Sequence, residues 1–461
     1  MNLRAHAGRH ATAIAVSVLA LLAYLPALGS SPGRLPADTK LYLYLDPVGL
    51  VGRAASTFEP DQFAGWVPFQ QITYLWPSGP WYLLFDALGA PDWVAHRLWI
   101  ATIMFLAGAG VFWTARLLGC ARSGALVAAL VYQVAPFVLP YISRTSLLLL
   151  PWAGLGWIVG LTIRATLADP PIGTGLRSRL ARWRDPALIA LVVATVGSVN
   201  ATTLAMIVPG PVLWIVHVAW QRRISWRAAV GVGARIGGLC LAVSVWWISM
   251  LYVQSRSGAS VLSYTETLTD VSRNATGSEV LRGLGYWLFY QRDPVGATTT
   301  ASFDHLVGLR TIALGYLVIL VGFAGVALTS WSHRRFAAMC AGVGVLLAVG
   351  VHPIDDPSPL MGLLVGDDEG GLALALRSST RAAPLLLLGV GLGAGALVSA
   401  VGAGIGIPAP RRRLARFAAT GVLAAVIVAS LPALWNRALV DPAIDRDQDP
   451  PSAWQEAADR L

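Results

Sequence analysis

Charged residues are scarce in this chain, where they make up 13% of 461 residues. Soluble globular domains average about 25% charged residues, so the composition excludes an ordinary soluble domain. Lysine is almost missing, since Lys40 is the one lysine among 34 basic residues. The three cysteines show neither a C-x-x-C pair nor the spacing of metal ligands. We therefore expect no disulfide framework and no zinc site.

Hydrophobic residues are abundant instead and account for 56% of the chain. Apolar runs of about 17–25 residues can cross a bilayer, and we expect the first to be an uncleaved anchor because no convincing cleavage site follows it. The region 187–220 is interrupted by GSVNATT, which predicts a hairpin whose first span is short. The chain is therefore predicted to be an all-α, polytopic transmembrane bundle of about eleven spans: 11–28, 98–115, 124–141, 146–163, two within 187–220, 236–252, 311–331, 336–351, 382–404 and 417–434.

The arginines indicate the orientation, because basic loops stay in the cytoplasm. A cytoplasmic N-terminus places the arginine-rich loops inside and leaves 24 − 2 = 22 of the 24 acids outside, the exceptions being Asp169 and Asp185. The net charge of +10 then reflects topology and not a nucleic-acid surface. We expect a multi-pass plasma-membrane protein with no nucleic-acid partner and with its active site facing the periplasm and cell wall.

Two long outer loops, 29–97 and 253–310, are expected to meet over a membrane domain that spans 1–434. Residues 435–461 are expected to begin an extracytoplasmic segment that is cut short at the last residue. An enzyme working outside the membrane has no nucleotide sugars, so it would use a donor linked to a lipid phosphate. Such a site needs a carboxylate base, cations for the departing phosphate and a groove for the lipid tail.

Three outer carboxylates are candidates for the catalytic base: Asp38, Asp46 and Glu266. Asp38 lies just past the first span, and its structural alternative is to cap a short interfacial helix. Asp46 precedes a proline, and its alternative is to start a turn. Glu266 lies among hydroxyl residues in SYTETLTD, and its alternative is an ordinary solvated loop acid.

The candidate phosphate ligands are Arg377, Arg381 and Lys40. The two arginines stand four residues apart before a predicted span, so they share one face if that helix begins early. Guanidinium groups at a helix N-terminus suit a phosphate; alternatively, these two anchor the helix among lipid headgroups. An acidic cluster at 367–371 lacks the calcium-loop pattern and is interpreted as a flexible loop. No cofactor is firmly indicated, and a divalent cation stays an open alternative.

Aromatic residues lie among the outer acids. Trp66, Trp76, Tyr74 and Tyr264 are candidate sugar-binding residues, because a sugar ring has an apolar face and a rim of hydroxyls. The alternative is a position at the bilayer interface, where Trp and Tyr collect. The sequons at Asn200 and Asn274 are interpreted as chance.

Three stretches, 37–99, VLRGLGYWLFYQRDP and LRSSTRAAP, resemble the N-terminal membrane domain of AftD-type arabinofuranosyltransferases of the mycobacterial cell wall. The resemblance implies a GT-C fold and a decaprenylphosphoryl-arabinofuranose donor. It also implies an arabinan acceptor of arabinogalactan and lipoarabinomannan, and an α-(1→3) linkage formed with inversion. The GT-C pattern of an acid in the first outer loop matches Asp38 and Asp46, and Asp38 ranks first as the base. Family members continue into a large region that this chain lacks.

Two other classes remain open. A flippase or transporter of lipid-linked saccharides would also be polytopic, but transporters place charges at the midplane and show repeated halves. A non-catalytic scaffold of a cell-wall assembly complex is the third class, and loss of activity on neutralising Asp38 would exclude it.

Overall fold

The structure of the protein is a computed structural model. It describes residues 3–36, 38, 42–61, 64–68, 71–167, 175–259, 266–292, 296–365, 378–402, 408–441, 445–447 and 451–460. Within these residues helices dominate, and each apolar run of the sequence coincides with one of them. The helical bundle predicted from hydropathy is therefore confirmed.

Eleven helices of the described chain have twelve or more residues. They are Leu3–Gly29 (α1), Asp92–Leu117 (α2), Arg122–Gln133 (α3), Leu150–Leu167 (α4), Leu176–Val196 (α5), Pro209–Trp220 (α6), Trp226–Ser257 (α7), Leu309–Leu328 (α8), Arg334–Val349 (α9), Ala383–Ala400 (α10) and Ala409–Ala429 (α11). The region 187–220 does form two helices, although the first extends back to residue 176.

Eight stretches of the described residues are long and apolar enough to cross a membrane. The helices α5, α9 and α11 are not among them, because α5 and α11 begin with arginine-rich turns and α9 has only 16 residues. The count of eleven spans and the cytoplasmic N-terminus stay predictions.

The helix α10 forms the centre of the bundle and packs against α3, α8 and α9. Glycines permit these contacts. A Cβ added at Gly325 of α8 would lie 1.8 Å from the carbonyl oxygen of Gly393 in α10, so the two backbones touch directly. Such small-residue crossings allow close packing where no water drives helices together. By contrast, the helices α1, α7 and α8 leave most of their apolar surface uncovered, as lipid-facing helices do.

Shorter elements join the long helices. The α-helices among them are Tyr42–Leu45, Pro47–Ala54, Ser78–Ala87, Leu139–Ile142, Ala201–Ile207, Leu268–Asn274, Gly277–Leu281, Ser302–Leu306, Pro359–Val365 and Ser452–Asp459. The 3-10 helices are Gln71–Leu75, Pro136–Val138, Ser146–Leu149, Trp287–Phe289, Ser379–Ala382 and Pro432–Leu434.

One short pair of strands accompanies the helices of this all-α fold. Arg34–Pro36 (β1) pairs antiparallel with Asp445–Asp447 (β2). Three-residue strands carry no hydropathy signal of their own, so the sequence could not predict the pair. Ser30 Oγ also donates to the carbonyl oxygen of Arg437 at 2.7 Å. The segments around residues 437 and 446 therefore contact the first outer loop, and the domain boundary at 434 stays a prediction.

Polar contacts between loops gather at two ends of the bundle. One end joins the loops 29–97 and 253–310 to the segments around residues 143, 200 and 380. The other joins the arginine-rich loops, for example through the ion pair of Arg164 with Asp185 at 2.7 Å. We call the first the outer end and the second the inner end, following the orientation predicted by the positive-inside rule. All candidate site residues that the structure describes lie at the outer end.

Candidate active site

Asp38 is completely enclosed, since its side chain has 0% exposure. Its Oδ1 atom accepts a hydrogen bond from the Ser146 backbone N–H at 2.8 Å. Its Oδ2 atom accepts one from the Ser146 hydroxyl and lies 3.2 Å from Nε2 of His96. The carboxylate therefore ties the first outer loop to α2 and to the 3-10 turn before α4.

The imidazole of His96 is held on its other side by Arg97. A guanidinium only donates hydrogen bonds, so its Nη1 donates to Nδ1 of His96 at 3.0 Å, and Nε2 of the neutral ring carries the proton that points to Asp38. Arg97 is itself fully buried and donates through Nε to the carbonyl oxygen of Ser30 at 3.1 Å. The network thus locks the end of α1 onto the start of α2.

This combination of Asp, His and Ser is not a nucleophilic triad. In a triad the serine hydroxyl bonds the imidazole, whereas the Ser146 hydroxyl bonds the carboxylate of Asp38. The phenols of Tyr44 and Tyr82 lie near this carboxylate. The pKa of each is raised, mainly by burial and further by the negative charge of Asp38. In this arrangement Asp38 links three segments of the chain, and its role as the catalytic base stays a prediction.

Asp46 caps a helix, whereas its position before a proline had suggested the start of a turn and the helix cap had been assigned to Asp38. It is the N-cap of Pro47–Ala54, and its Oδ1 atom accepts a hydrogen bond from the backbone N–H of Gly49 at 2.8 Å. The side chain is 55% exposed and lies 3.7 Å from Arg53. Because Pro47 ends the preceding turn, the stretch forms two short helices instead of one continuous interfacial helix.

The structure describes three of the four predicted sugar-binding aromatics, and their role as sugar ligands stays a prediction. Trp66 pairs through its backbone with Glu59. Trp76 is 46% exposed and donates from Nε1 to the Thr195 hydroxyl at 3.2 Å. Tyr74 is buried at 2% exposure. Tyr264 lies outside the described residues, as do the candidate phosphate ligands Lys40 and Arg377.

Glu266 and Arg381, predicted separately from the sequence, meet at the outer end through one short segment. Glu266 Oε1 accepts a hydrogen bond from the Ser378 hydroxyl at 2.9 Å. Ser378 is the N-cap residue of Ser379–Ala382, the 3-10 turn that carries Arg381 and leads into α10. The segment 378–381 therefore binds the Glu266 carboxylate through its first residue and carries the guanidinium of Arg381 on its last.

Asn200 orients the guanidinium of Arg381. Its Oδ1 atom accepts a hydrogen bond from Arg381 Nη1 at 3.1 Å and also caps Ala201–Ile207 through the Thr203 N–H at 2.8 Å. The Arg381 Nε atom is buried and has no hydrogen-bond partner among the residues that the structure describes. An amide thus orients the arginine without neutralising its charge.

A stacked pair of tyrosines, Tyr141 and Tyr286, lies beside these charges with ring centroids 4.7 Å apart. Burial raises the pKa of Tyr286, the charge of Arg381 lowers it, and the charge of Glu266 raises it again. Both charges act on this phenol, so Glu266 and Arg381 lie in the same part of the outer end. The site therefore combines a carboxylate, a guanidinium and a neutral aromatic wall.

A cavity of about 620 Å³ borders Glu266, and we call it the Glu266 cavity. It is lined by Glu266, Asp270, Arg273, Asn274, Trp287, Tyr290 and Gln291. All seven residues come from the second outer loop. Its volume falls in the range of about 300–1,000 Å³ that is typical of small-molecule sites.

The described residues contain no group of three or more His, Cys, Asp or Glu side chains that could hold a metal ion. The acidic cluster 367–371 lies outside the described residues. A divalent cation therefore stays an untested alternative.

Sequence reasoning missed several residues of this site. Asn200 lies in a sequon interpreted as chance, yet it contacts an arginine 181 residues away. Tyr141 ends an apolar run and carried no signal beyond its type. The one available clue was NATT, which combines an N-cap asparagine with a threonine three positions later, the pattern of a helix start.

Comparison with known proteins identifies related sequences. A family model described as "Alpha-(1->3)-arabinofuranosyltransferase, N-terminal GT-C domain" matches residues 21–461. A curated Alpha-(1->3)-arabinofuranosyltransferase of Mycobacterium tuberculosis (strain ATCC 25618 / H37Rv) is 28% identical over 340 residues, which is 72% of this chain and 23% of that protein. Its counterpart in Mycolicibacterium smegmatis (strain ATCC 700084 / mc(2)155) is 28% identical over 322 residues, 69% of this chain and 21% of that protein. The chain thus spans about a quarter of the length of these relatives.

Solved structures share the fold. A cryo-EM structure of arabinofuranosyltransferase AftD from Mycobacteria superimposes with a TM-score of 0.69 at 23% identity, over 97% of this chain and 28% of that chain. The apo oligosaccharyltransferase of Archaeoglobus fulgidus superimposes with a TM-score of 0.53 at 11% identity, over 97% of this chain and 57% of that chain. At these identities the likeness concerns architecture alone.

Proposed function

Because the chain belongs to the family of N-terminal GT-C domains of alpha-(1->3)-arabinofuranosyltransferases, we propose that it catalyses transfer of an arabinofuranosyl group at its outer end. The donor in this proposal is decaprenylphosphoryl-arabinofuranose, and the acceptor is a hydroxyl of cell-wall arabinan, in arabinogalactan or lipoarabinomannan. The acceptor oxygen attacks the anomeric carbon, the bond to the lipid phosphate breaks, and the new linkage is α-(1→3) with inversion.

The observation that supports this proposal best is the pairing of Glu266 with Arg381. Glu266 borders the Glu266 cavity, so an acceptor hydroxyl can reach its carboxylate there. Arg381 offers a buried donor to a departing phosphate, where negative charge grows as the glycosidic bond breaks. In this proposal Glu266 takes the proton of the acceptor hydroxyl and Arg381 binds the departing phosphate, the two roles that the displacement needs.

The structure favours Glu266 over Asp38 as the base. Both oxygens of Asp38 are occupied by donors in a closed environment, whereas Glu266 borders a cavity. In this proposal Asp38 shapes the site from a distance by fixing the first outer loop. Lys40 and Arg377 stay predicted phosphate ligands.

The test of this function is transfer of labelled arabinofuranose from decaprenyl phosphate onto a synthetic arabinan by the purified chain in lipid nanodiscs. We expect an acid-stable, acceptor-linked product whose formation needs both substrates. A transporter would move labelled lipid across the bilayer without forming that product. A scaffold would do neither.

Replacing Arg381 with glutamine is expected to raise the KM for the donor about tenfold to hundredfold. A hydrogen bond to a charged group contributes about 1.5–3 kcal/mol, and glutamine cannot carry the charge. Lysine at this position should restore only part of the affinity, because it lacks the planar guanidinium. The matched control is Arg437→Gln, which changes an exposed arginine at the same end. An unchanged donor KM in Arg381→Gln would exclude this residue as a phosphate ligand.

Asn200 offers a test that separates folding from charge. Asn200→Ala removes the cap of Ala201–Ile207 and is expected to cost about 1 kcal/mol of stability. Asn200→Asp keeps the cap but pairs its charge with Arg381, so we expect near-normal stability and a donor KM raised about tenfold. Thermal unfolding and donor titration of both variants check this division. Equal donor KM values in Asn200→Asp and the wild type would show that Asn200 does not tune Arg381.

A further inference from the structure

The Glu266 cavity has the chemistry of a saccharide site. Trp287 supplies an apolar aromatic face, which suits the C–H face of a sugar ring. Asn274 and Gln291 supply carboxamides, which donate and accept hydrogen bonds and so match hydroxyl groups. A lipid tail would need a largely apolar lining, whereas the described residues of this lining include charged and carboxamide side chains.

Two of the lining side chains are held in place before any ligand binds. Tyr290 donates its hydroxyl hydrogen to Glu279 at 2.8 Å and accepts from the Gly285 N–H at 2.9 Å. Asn274 donates from Nδ2 to the Asp270 carbonyl oxygen at 3.0 Å. Groups that are already ordered lose little conformational freedom on binding, which favours affinity.

The charge of the cavity selects against an anion. Among the described residues of the lining, Glu266 and Asp270 contribute two carboxylates and Arg273 contributes the one cationic side chain. Asp270 stays ionised, because hydrogen bonds from the Thr267 hydroxyl and backbone N–H lower its pKa. A phosphate would meet net negative charge from these side chains, whereas a neutral glycan carries no charge that they repel. Arg381, which is not among these lining residues, remains the better place for the anionic donor.

We infer that the Glu266 cavity is the binding site of the neutral acceptor glycan and that Trp287 is its stacking platform. This inference rests on the proposed function, because it places the acceptor hydroxyl beside Glu266. It goes further by separating two substrate positions: a glycan position within the second outer loop and a phosphate position at Arg381. Trp287 and Asn274 then determine acceptor affinity and leave donor affinity unchanged.

The test measures binding of two probes to the purified chain in nanodiscs by calorimetry. The probes are a synthetic arabinofuranosyl tetrasaccharide and decaprenyl phosphate. We expect Trp287→Ala to weaken tetrasaccharide binding about tenfold or more, Trp287→Phe to weaken it less, and neither to change decaprenyl phosphate binding. Trp220→Ala is the matched control, because Trp220 is exposed at the inner end.

Asn274→Ala is a second variant that distinguishes lost binding from a folding defect in Trp287→Ala. The side chain of Asn274 donates to the carbonyl oxygen of Asp270. Asn274→Ala should weaken tetrasaccharide binding several-fold with an unchanged melting temperature. The inference is overturned if the wild type does not bind the tetrasaccharide, or if folded Trp287→Ala and Asn274→Ala bind it as the wild type does. Failure of the proposed function looks different: the tetrasaccharide would bind, Trp287→Ala would weaken it, and no transfer would occur.

Discussion

Replacing Glu266 with glutamine is expected to lower the rate of arabinofuranosyl transfer by about 10²–10⁴, the usual contribution of a positioned general base. Binding of both substrates should change little, because glutamine keeps the size of the side chain. Its amide oxygen can still accept the hydrogen bond from Ser378, so stability should be preserved. The measurement is kcat with both substrates saturating, together with thermal unfolding of the same preparation.

The matched control for Glu266→Gln is Asp356→Asn, which neutralises an exposed acid of another outer loop. It should leave kcat within about twofold of the wild type. A full rate in Glu266→Gln would assign proton removal to a different group. A rate loss accompanied by an equal loss of folded protein would assign a structural role to Glu266.

Asp38→Ala is expected to have the largest effect on stability. The substitution removes the hydrogen-bond acceptor of three buried donors: the Ser146 N–H, the Ser146 hydroxyl and His96. Removing one partner of a buried charged network costs about 3–5 kcal/mol, so the melting temperature should fall sharply. Asp38→Asn should cost less, because its amide oxygen can still accept from the Ser146 N–H while its NH₂ group opposes the His96 donor. Thermal unfolding in nanodiscs ranks the two variants.

Asp38→Asn also distinguishes the two roles considered for Asp38, a structural one and that of the catalytic base. If the residue is a structural joint, the folded fraction of Asp38→Asn should transfer arabinofuranose at a rate close to that of the wild type. If it is the base, a fully folded Asp38→Asn should be inactive. His96→Ala serves as a control, since it disturbs the same network without removing a carboxylate.

The helices could be predicted from the sequence because hydropathy is a local property. Most apolar runs became long helices, whereas Asp46 became an N-cap where the sequence suggested a turn. The environment of Asp38 could not be predicted, since it depends on Ser146, 108 residues away. The short distance in sequence from the first span indicated only that this carboxylate lies near the membrane surface. It did not indicate that the side chain is buried.

The candidate site shows the same limit. Glu266 and Arg381 were each singled out by residue type and flanking sequence, but their meeting depends on Ser378, which is 112 residues from Glu266. The aromatic residues were selected by residue type among the outer acids, and their role as sugar ligands stays a prediction. Trp287 was not considered as a sugar ligand, although it lies in a stretch on which the family resemblance rests. Contacts between distant segments decide a polar site, and no local pattern encodes them.

The most direct test compares the wild type, Glu266→Gln and Asp38→Asn in one transfer assay, at equal amounts of folded, nanodisc-embedded protein. Labelled arabinofuranose is supplied on decaprenyl phosphate, and the product on a synthetic arabinan is counted in a single turnover. We predict transfer by the wild type and by Asp38→Asn, and a loss of about 10² or more for Glu266→Gln. Transfer by Glu266→Gln at the wild-type rate, or transfer by no protein at all, would contradict an active site built on Glu266.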